Sequence, residues 1–381
     1  MEKLSDIGRV LSLPHTASAE NKVAHNDIWY TNCPLPAALS IAVHSGLLAA
    51  KLAPLGINVH SLRQSASNTD RLSHFRHTVA GQIRHGGHIP PLWSRAEGRD
   101  VRLLGLSWTR ESQLVLTLPG SGIASIQELA GRRLAVPVRS ALPIDFWRAA
   151  VLKGWCAVLR FAGLSASDVH FVEIPVATSH RLSAHPQNGE AETLPAGNAR
   201  WTFGAHREEA LALLRDEVDA VFSPGHYGVP LQAFLGLRSI FDLTEAADRH
   251  THLNNATLLA ITMDGGFLDA RPQAAVEVLV SLFEAAGWAR NNHREARRIL
   301  AADTGNPEEF VDEIFGADFA DRLRPTLSGE ALAALSAQNR FLFENGFIPR
   351  IVPAEEWLVR EPLEEALRIA APAARAGHAH F

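Results

Sequence analysis

The chain is predicted to be an α/β protein whose sheets are mainly parallel. Short apolar runs of strand length alternate along it with segments of helical period. Its 381 residues are 46% hydrophobic, enough for two lobes with a sizeable core. Charged residues make up 20% and the formal net charge is -5, so there is no basic excess for an extended nucleic-acid surface.

The first element to place is the segment around Cys33, one of two cysteines. Cys33 follows Trp29-Tyr30-Thr31-Asn32 and precedes Pro34-Leu35-Pro36. A proline directly after it predicts a helix opening at Pro34 and running over 36–49. The sulfur would then sit at a helix N-terminus, where free N–H groups and the macrodipole favour a thiolate. Runs over 57–59, 101–106, 114–118, 133–136, 169–174, 218–222 and 258–261 read as strands. Helices are predicted over 144–162, 206–216, 272–291 and 329–345; the first has apolar residues at 147, 151, 155, 158, 159 and 162. Residues 183–199, rich in Pro, Gly, Asn, Glu and Ala, read as a loop.

Segments 125–136 and 210–222 resemble parts of the second lobe of type II periplasmic-binding-protein folds, in which two α/β lobes face each other across a cleft. That resemblance implies a first lobe from 1–112, a second from 113–224, and a return to the first over 225–381 with helices at the C-terminal end.

Cys33, His74 and the stretch Arg84-His85-Gly86-Gly87-His88-Ile89-Pro90-Pro91 precede the first crossing. Arginine offers a planar fork to a bidentate oxyanion, and glycine lets backbone N–H groups approach it. Together they suggest a pocket for a small anion. His74 is a candidate to orient or deprotonate the thiol. The plain alternatives are that Cys33 is a small core residue and His74 an ordinary hydrogen-bonded histidine. Cys156, beside Trp155 in an amphipathic helix, reads as core. No metal-binding spacing accompanies the histidines; His85 and His88 form only a weak pair. A binding protein and a cysteine enzyme both fit these residues.

The stretch Tyr30-Thr31-Asn32-Cys33-Pro34-Leu35-Pro36-Ala37-Ala38-Leu39 resembles the cysteine motif of the 2'-hydroxybiphenyl-2-sulfinate desulfinase family of dibenzothiophene desulfurisation. The resemblance continues through His74-Phe75 and the Arg84–Leu92 stretch, with an interval of ten positions from histidine to arginine. Weaker matches at Gly154-Trp155, 218–220, 286–290 and 315–319 extend it over about 28–350. It implies that Cys33 is an essential thiol with His74 beside it, and that Arg84 and the Gly87 amide, with Gly86, hold the sulfinate oxygens. It further implies hydrolytic C–S cleavage of an aryl sulfinate to arene and sulfite, without metal or organic cofactor. Cys33 either protonates the ring carbon or attacks sulfur to give a thiosulfonate-like intermediate. Phe75 and Trp155 are candidates to sandwich the aryl ring, with Trp201 and Phe203 as further candidates. Trp155 fits the core equally well. Arg76-His77-Thr78-Val79 departs from the family, so the ring pocket is expected to differ more than the anion site.

A solute-binding protein for a small oxyanion or sulfonate is the alternative. A thiamin-pyrimidine synthase relative is a weaker one, since that group carries a cysteine cluster. The N-terminus shows no signal-peptide core and no window approaches a membrane span. A cytoplasmic monomer with a small-molecule aryl sulfinate as its ligand, and neither nucleic acid nor membrane as partner, is therefore expected.

Overall fold

The computed structural model describes residues 25–176, 206–246 and 248–376. The first lobe is built on β1 (Asp27–Asn32), β2 (Asn58–Ser61), β3 (Gln82–Gly87), β4 (Val101–Trp108) and β10 (Leu258–Asp264), in the order β2-β1-β3-β10-β4. The second holds β5 (Gln113–Thr117), β8 (Val221–Pro224) and β9 (Arg238–Asp242), in the order β8-β5-β9. Beside them lie the paired strands β6 (Arg133–Val138) and β7 (His170–Pro175), tied in by a bridge from Leu134 to Ala220.

Three sequence expectations need correction. The sheets are mixed: β1 runs parallel to β2 and β3, and β6 to β7, while β10 and β5 run against both their neighbours. The strand β10 enters the first sheet only after the chain has returned from the second lobe, and it threads between β3 and β4 in the opposite direction. The second lobe also extends past residue 224. A helix at Gly225–Leu235 ends at Gly236, whose φ of 63° turns the chain back so that β9 pairs with β5 through Asp242.

The third correction concerns the helix after Cys33. It does not open at Pro34; α1 spans Ala38–His44, and α2 (Leu47–Leu52) follows a break at Gly46, φ 76°. A residue before proline is pushed out of the helical region, and Pro34 and Pro36 do this to Cys33 and Leu35 in turn. Helix formation therefore waits until Pro36 is passed. Cys33 instead follows directly on β1, and its N–H donates to the His85 carbonyl at 3.3 Å.

The long helix at Pro272–Asn291 buries Val278, Leu279, Leu282 and Ala286 among its core-facing residues. Each large apolar side chain so buried contributes about 1.5–3 kcal/mol. The helix at Glu361–Ala376 packs along it, and the helix at Gly329–Glu344 covers β4 and β10. These C-terminal helices thus brace the sheet that ends at Cys33. Among the described residues no single helix is long and apolar enough to cross a membrane.

Candidate active site

The site grows from the carboxyl ends of two adjacent parallel strands, the place where open α/β sheets present ligands to a crevice. Register pairs Thr31 with Arg84 and Asn32 with His85, so Cys33 leaves β1 directly over β3. Arg84 has no exposed surface. Its Nη2 donates to Cys33 Sγ at 3.1 Å and its Nη1 to the Gly87 carbonyl at 2.7 Å. Its Nε is buried without a hydrogen-bond partner among the described residues. Burial lowers the guanidinium from its usual pKa, and Cys33 works the other way.

His74 stands in the last turn of α3 (Asn68–Arg76). Its Nδ1 is hydrogen bonded to Thr31 Oγ1 at 2.8 Å, which leaves Nε2 facing Cys33 Sγ at 3.8 Å. Loss of solvent, then the Arg84 and Arg63 charges, hold the imidazole well below the usual histidine range. The ring is therefore neutral near pH 7.

Gly86 and Gly87 serve by what they lack. A Cβ on residue 86 would collide with the Cys33 sulfur and lie 2.9 Å from its Cβ. One on residue 87 would lie 2.6 Å from Asn255 Cγ. Asn255 Oδ1 accepts from the Ile89 N–H at 3.0 Å. Sequence reasoning missed Asn255, because it reaches the site from the loop before β10, over 160 residues away. It also missed Arg63, whose Nη2 donates to the Asn32 carbonyl at 2.6 Å. A third omission was Thr31, visible only once β1 is recognised as a strand.

The ring candidates divide. Phe75 is buried, meets His74 edge-on at 4.8 Å and stacks on Phe146 at 5.8 Å. Trp155 does not join them. It is fully buried in the second-lobe core, packs on Phe222 and donates from Nε1 to the Ala135 carbonyl at 2.9 Å. On α4 (Phe146–Ala162) the residues that approach the site are Phe146 and Trp147, at the helix start. Helical periodicity could not distinguish the buried stripe from the end that opens onto the cleft. Cys156, expected in the core, is exposed. Trp201, Phe203 and the loop 183–199 lie outside the described residues.

Among the described residues no group of three His, Cys, Asp or Glu side chains could hold a metal ion. His85 bonds to Ser107 Oγ and His88 to the Leu258 carbonyl, so neither takes part in a pair.

Two lobes around a cleft, with a thiol, an imidazole and a buried guanidinium at the strand ends, define a binding-protein-like scaffold equipped with a reactive centre. No family model matches the chain. It is 31% identical over 358 residues to 2'-hydroxybiphenyl-2-sulfinate desulfinase of Rhodococcus erythropolis, over 89% of this chain and 93% of that protein. The same values hold for the enzyme of Rhodococcus qingshengii. The chain belongs to the 2'-hydroxybiphenyl-2-sulfinate desulfinase family. The crystal structure of the desulfurization enzyme DszB matches with a TM-score of 0.70 and 29% identity, over 90% of this chain and 99% of that one. A cysteine-to-serine mutant of DszB in complex with biphenyl-2-sulfinic acid matches equally well in TM-score, at 27% identity and the same coverage. The periplasmic aliphatic sulphonate binding protein SsuA from Escherichia coli shares the fold, with a TM-score of 0.60 and 16% identity over 88% of this chain and 92% of that one.

Proposed function

We propose that this chain is a sulfinate desulfinase that cleaves an aryl sulfinate to the arene and sulfite, with Cys33 as nucleophile and no metal or organic cofactor. One observation carries the reading: Arg84 donates directly into the Cys33 sulfur while His74 Nε2 lies 3.8 Å from it. A hydrogen bond received by sulfur suits an electron-pair donor, and this replaces the helix N-terminus that the sequence had suggested.

The neutral His74 takes the thiol proton, and the sulfur attacks the sulfinate sulfur. The C–S electron pair moves to the ring carbon, which receives the proton back from His74. Water then opens the Cys33–SO₂ adduct, releasing bisulfite and restoring the thiol. The sum is sulfinate plus water to arene plus bisulfite: the electron pair that sulfur gives up stays on the ring carbon, so no external oxidant or reductant is needed. Arg84, with Nε unpartnered, and the N–H groups around Gly86 and Gly87 stabilise the charge on the sulfinate oxygens. Phe75 and Phe146 flank the ring. A reducing cytoplasm would keep the Cys33 thiol free, and it is the compartment proposed for the enzyme.

Incubation of the reduced protein with a panel of aryl sulfinates, assayed for sulfite, tests this. Release of sulfite that disappears in Cys33→Ser is the expected result. Folded, reduced protein that releases none from any of them overturns the proposal in favour of a solute-binding role.

A further inference from the structure

Asp303 is a buried carboxylate that the reaction leaves unused, and it bonds to the residue directly before the nucleophile. It is 4% exposed and lies near the end of the helix at His293–Thr304. Its Oδ2 accepts from Asn32 Nδ2 at 3.2 Å. Ser40, on α1, completes a triangle of buried side chains: its hydroxyl accepts from Asn32 Nδ2 and donates to Asp303. Burial raises the pKa of Asp303, against the Ser40 hydroxyl, the charges of His44 and Arg63, and the Asn32 amide. An apolar side chain of similar volume often serves a core as well as a buried ionic group, so packing alone does not explain Asp303.

Asn32 is where this carboxylate bears on the thiol. The peptide between Asn32 and Cys33 is held on both sides: its carbonyl accepts from Arg63 Nη2 at 2.6 Å, and its N–H donates to the His85 carbonyl at 3.3 Å. Beyond it, Pro34 and Pro36 have no N–H, and no helix forms before Ala38. The segment that carries the sulfur therefore has few backbone donors with which to fix itself, and the Asn32 side chain supplies an anchor. Successive strand residues point to opposite faces. Thr31 reaches His74, whereas Asn32 turns to Ser40 and Asp303. Both Nδ2 hydrogens are placed by these two partners, which fixes the orientation of the amide.

We propose that Asp303, through Asn32, is a positioning residue for Cys33. It fixes the Asn32–Cys33 peptide so that the sulfur stays within reach of Arg84 and His74. Asp303 acts by geometry and touches no substrate. The groups on β3 that hold the anion form no part of the triangle, so substrate binding should change little. The catalytic side of this inference rests on Cys33 being the nucleophile of the proposed reaction.

Two readouts on protein carrying Cys156→Ser separate the claims. Alkylation of Cys33 by iodoacetamide needs no substrate, and steady-state release of sulfite from biphenyl-2-sulfinate reads turnover. Asn32→Ala and Asp303→Leu should each lower kcat about tenfold, keep KM within about twofold, and change the alkylation rate at least about threefold. Combined, they should do no more than either alone, since both cut the same bond. Asp303→Asn keeps an oxygen that accepts from Asn32, and should retain most of the rate. A role confined to stability would lower the melting temperature and leave kcat of the folded enzyme alone. Thermal melts confirm folding; should Asp303→Leu not fold, Asn32→Ala and Asp303→Asn carry the test. Wild-type kcat and alkylation in Asn32→Ala overturn the inference, as does an Asp303→Asn variant as impaired as Asn32→Ala. If wild-type protein still releases sulfite in that case, the proposed function stands. If alkylation responds as expected but no sulfite is released even by wild-type protein, the placement of the thiol by Asp303 stands and the proposed function falls.

Discussion

Arg84 and Cys33 form one hydrogen-bonded unit: the guanidinium on β3 donates to the sulfur at the end of β1 across 3.1 Å. The same guanidinium is anchored to the Gly87 carbonyl. Two forks of one rigid plane are thus in use at once, which a lysine ammonium cannot reproduce. Arg84→Lys should therefore lower kcat/KM for sulfite release by about a hundredfold or more, despite keeping the charge. Steady-state assay beside a thermal melt checks it. A folded Arg84→Lys enzyme of near wild-type rate would show that geometry at this position is dispensable.

Gly86 makes a separate claim, since its backbone does not require glycine and only the space above it does. A methyl group there would collide with the Cys33 sulfur. Gly86→Ala should push the thiol off Arg84 and reduce sulfite release by at least about tenfold, with a modest loss of stability. Alkylation by iodoacetamide should report the displacement as a changed rate at Cys33, with Cys156 removed by substitution to keep the signal clean. Unchanged alkylation and turnover would mean that the sulfur is not held where the strand ends place it.

The anion end of this site was legible in the sequence because it lies on two short contiguous stretches. Cys33 precedes two prolines, and Arg84 and Gly86-Gly87 fall within four residues. Their partners were not legible. The Thr31–His74 contact depends on recognising β1, and Asn255 arrives from a remote loop. No helix opens at Pro34, because the effect of a proline on the residue before it outweighs its preference for the first helical position. Trp155 was misplaced for a different reason. A helix whose one face is core and whose first turn lines a cleft shows the same apolar period throughout, and only the packing of Phe146 and Trp147 distinguishes them.

The buried histidines predict a distinct acid sensitivity. Desolvation holds His85 at a pKa of about 3 and His88 at about 4, against an ordinary 6.5. Both rings stay neutral in the folded protein while the unfolded chain protonates below about 6.5. The unfolded state then binds more protons, so stability falls as pH drops. The loss begins near 6.5 and continues to about 4 for His88 and about 3 for His85, at up to about 1.4 kcal/mol per pH unit for each ring. Urea melts between pH 7.5 and 5 should show it, and His88→Gln should flatten the slope by about one proton. A slope unaffected by that substitution would remove His88 from the account.

Trp155 and Phe146, nine residues apart on α4, should respond in opposite ways. Trp155 is enclosed by the second-lobe core and donates to the Ala135 carbonyl. Trp155→Phe leaves that carbonyl short of a partner and the space imperfectly filled, at a cost of about 1–3 kcal/mol in stability, with KM unchanged. Phe146 instead stacks on Phe75 beside His74 and retains some exposed surface. Phe146→Ala should raise KM for aryl sulfinates about tenfold while moving the melting temperature little. Chemical denaturation and steady-state kinetics on the two variants decide it. A raised KM in Trp155→Phe with unchanged stability would return Trp155 to the ring pocket and displace Phe146 from it.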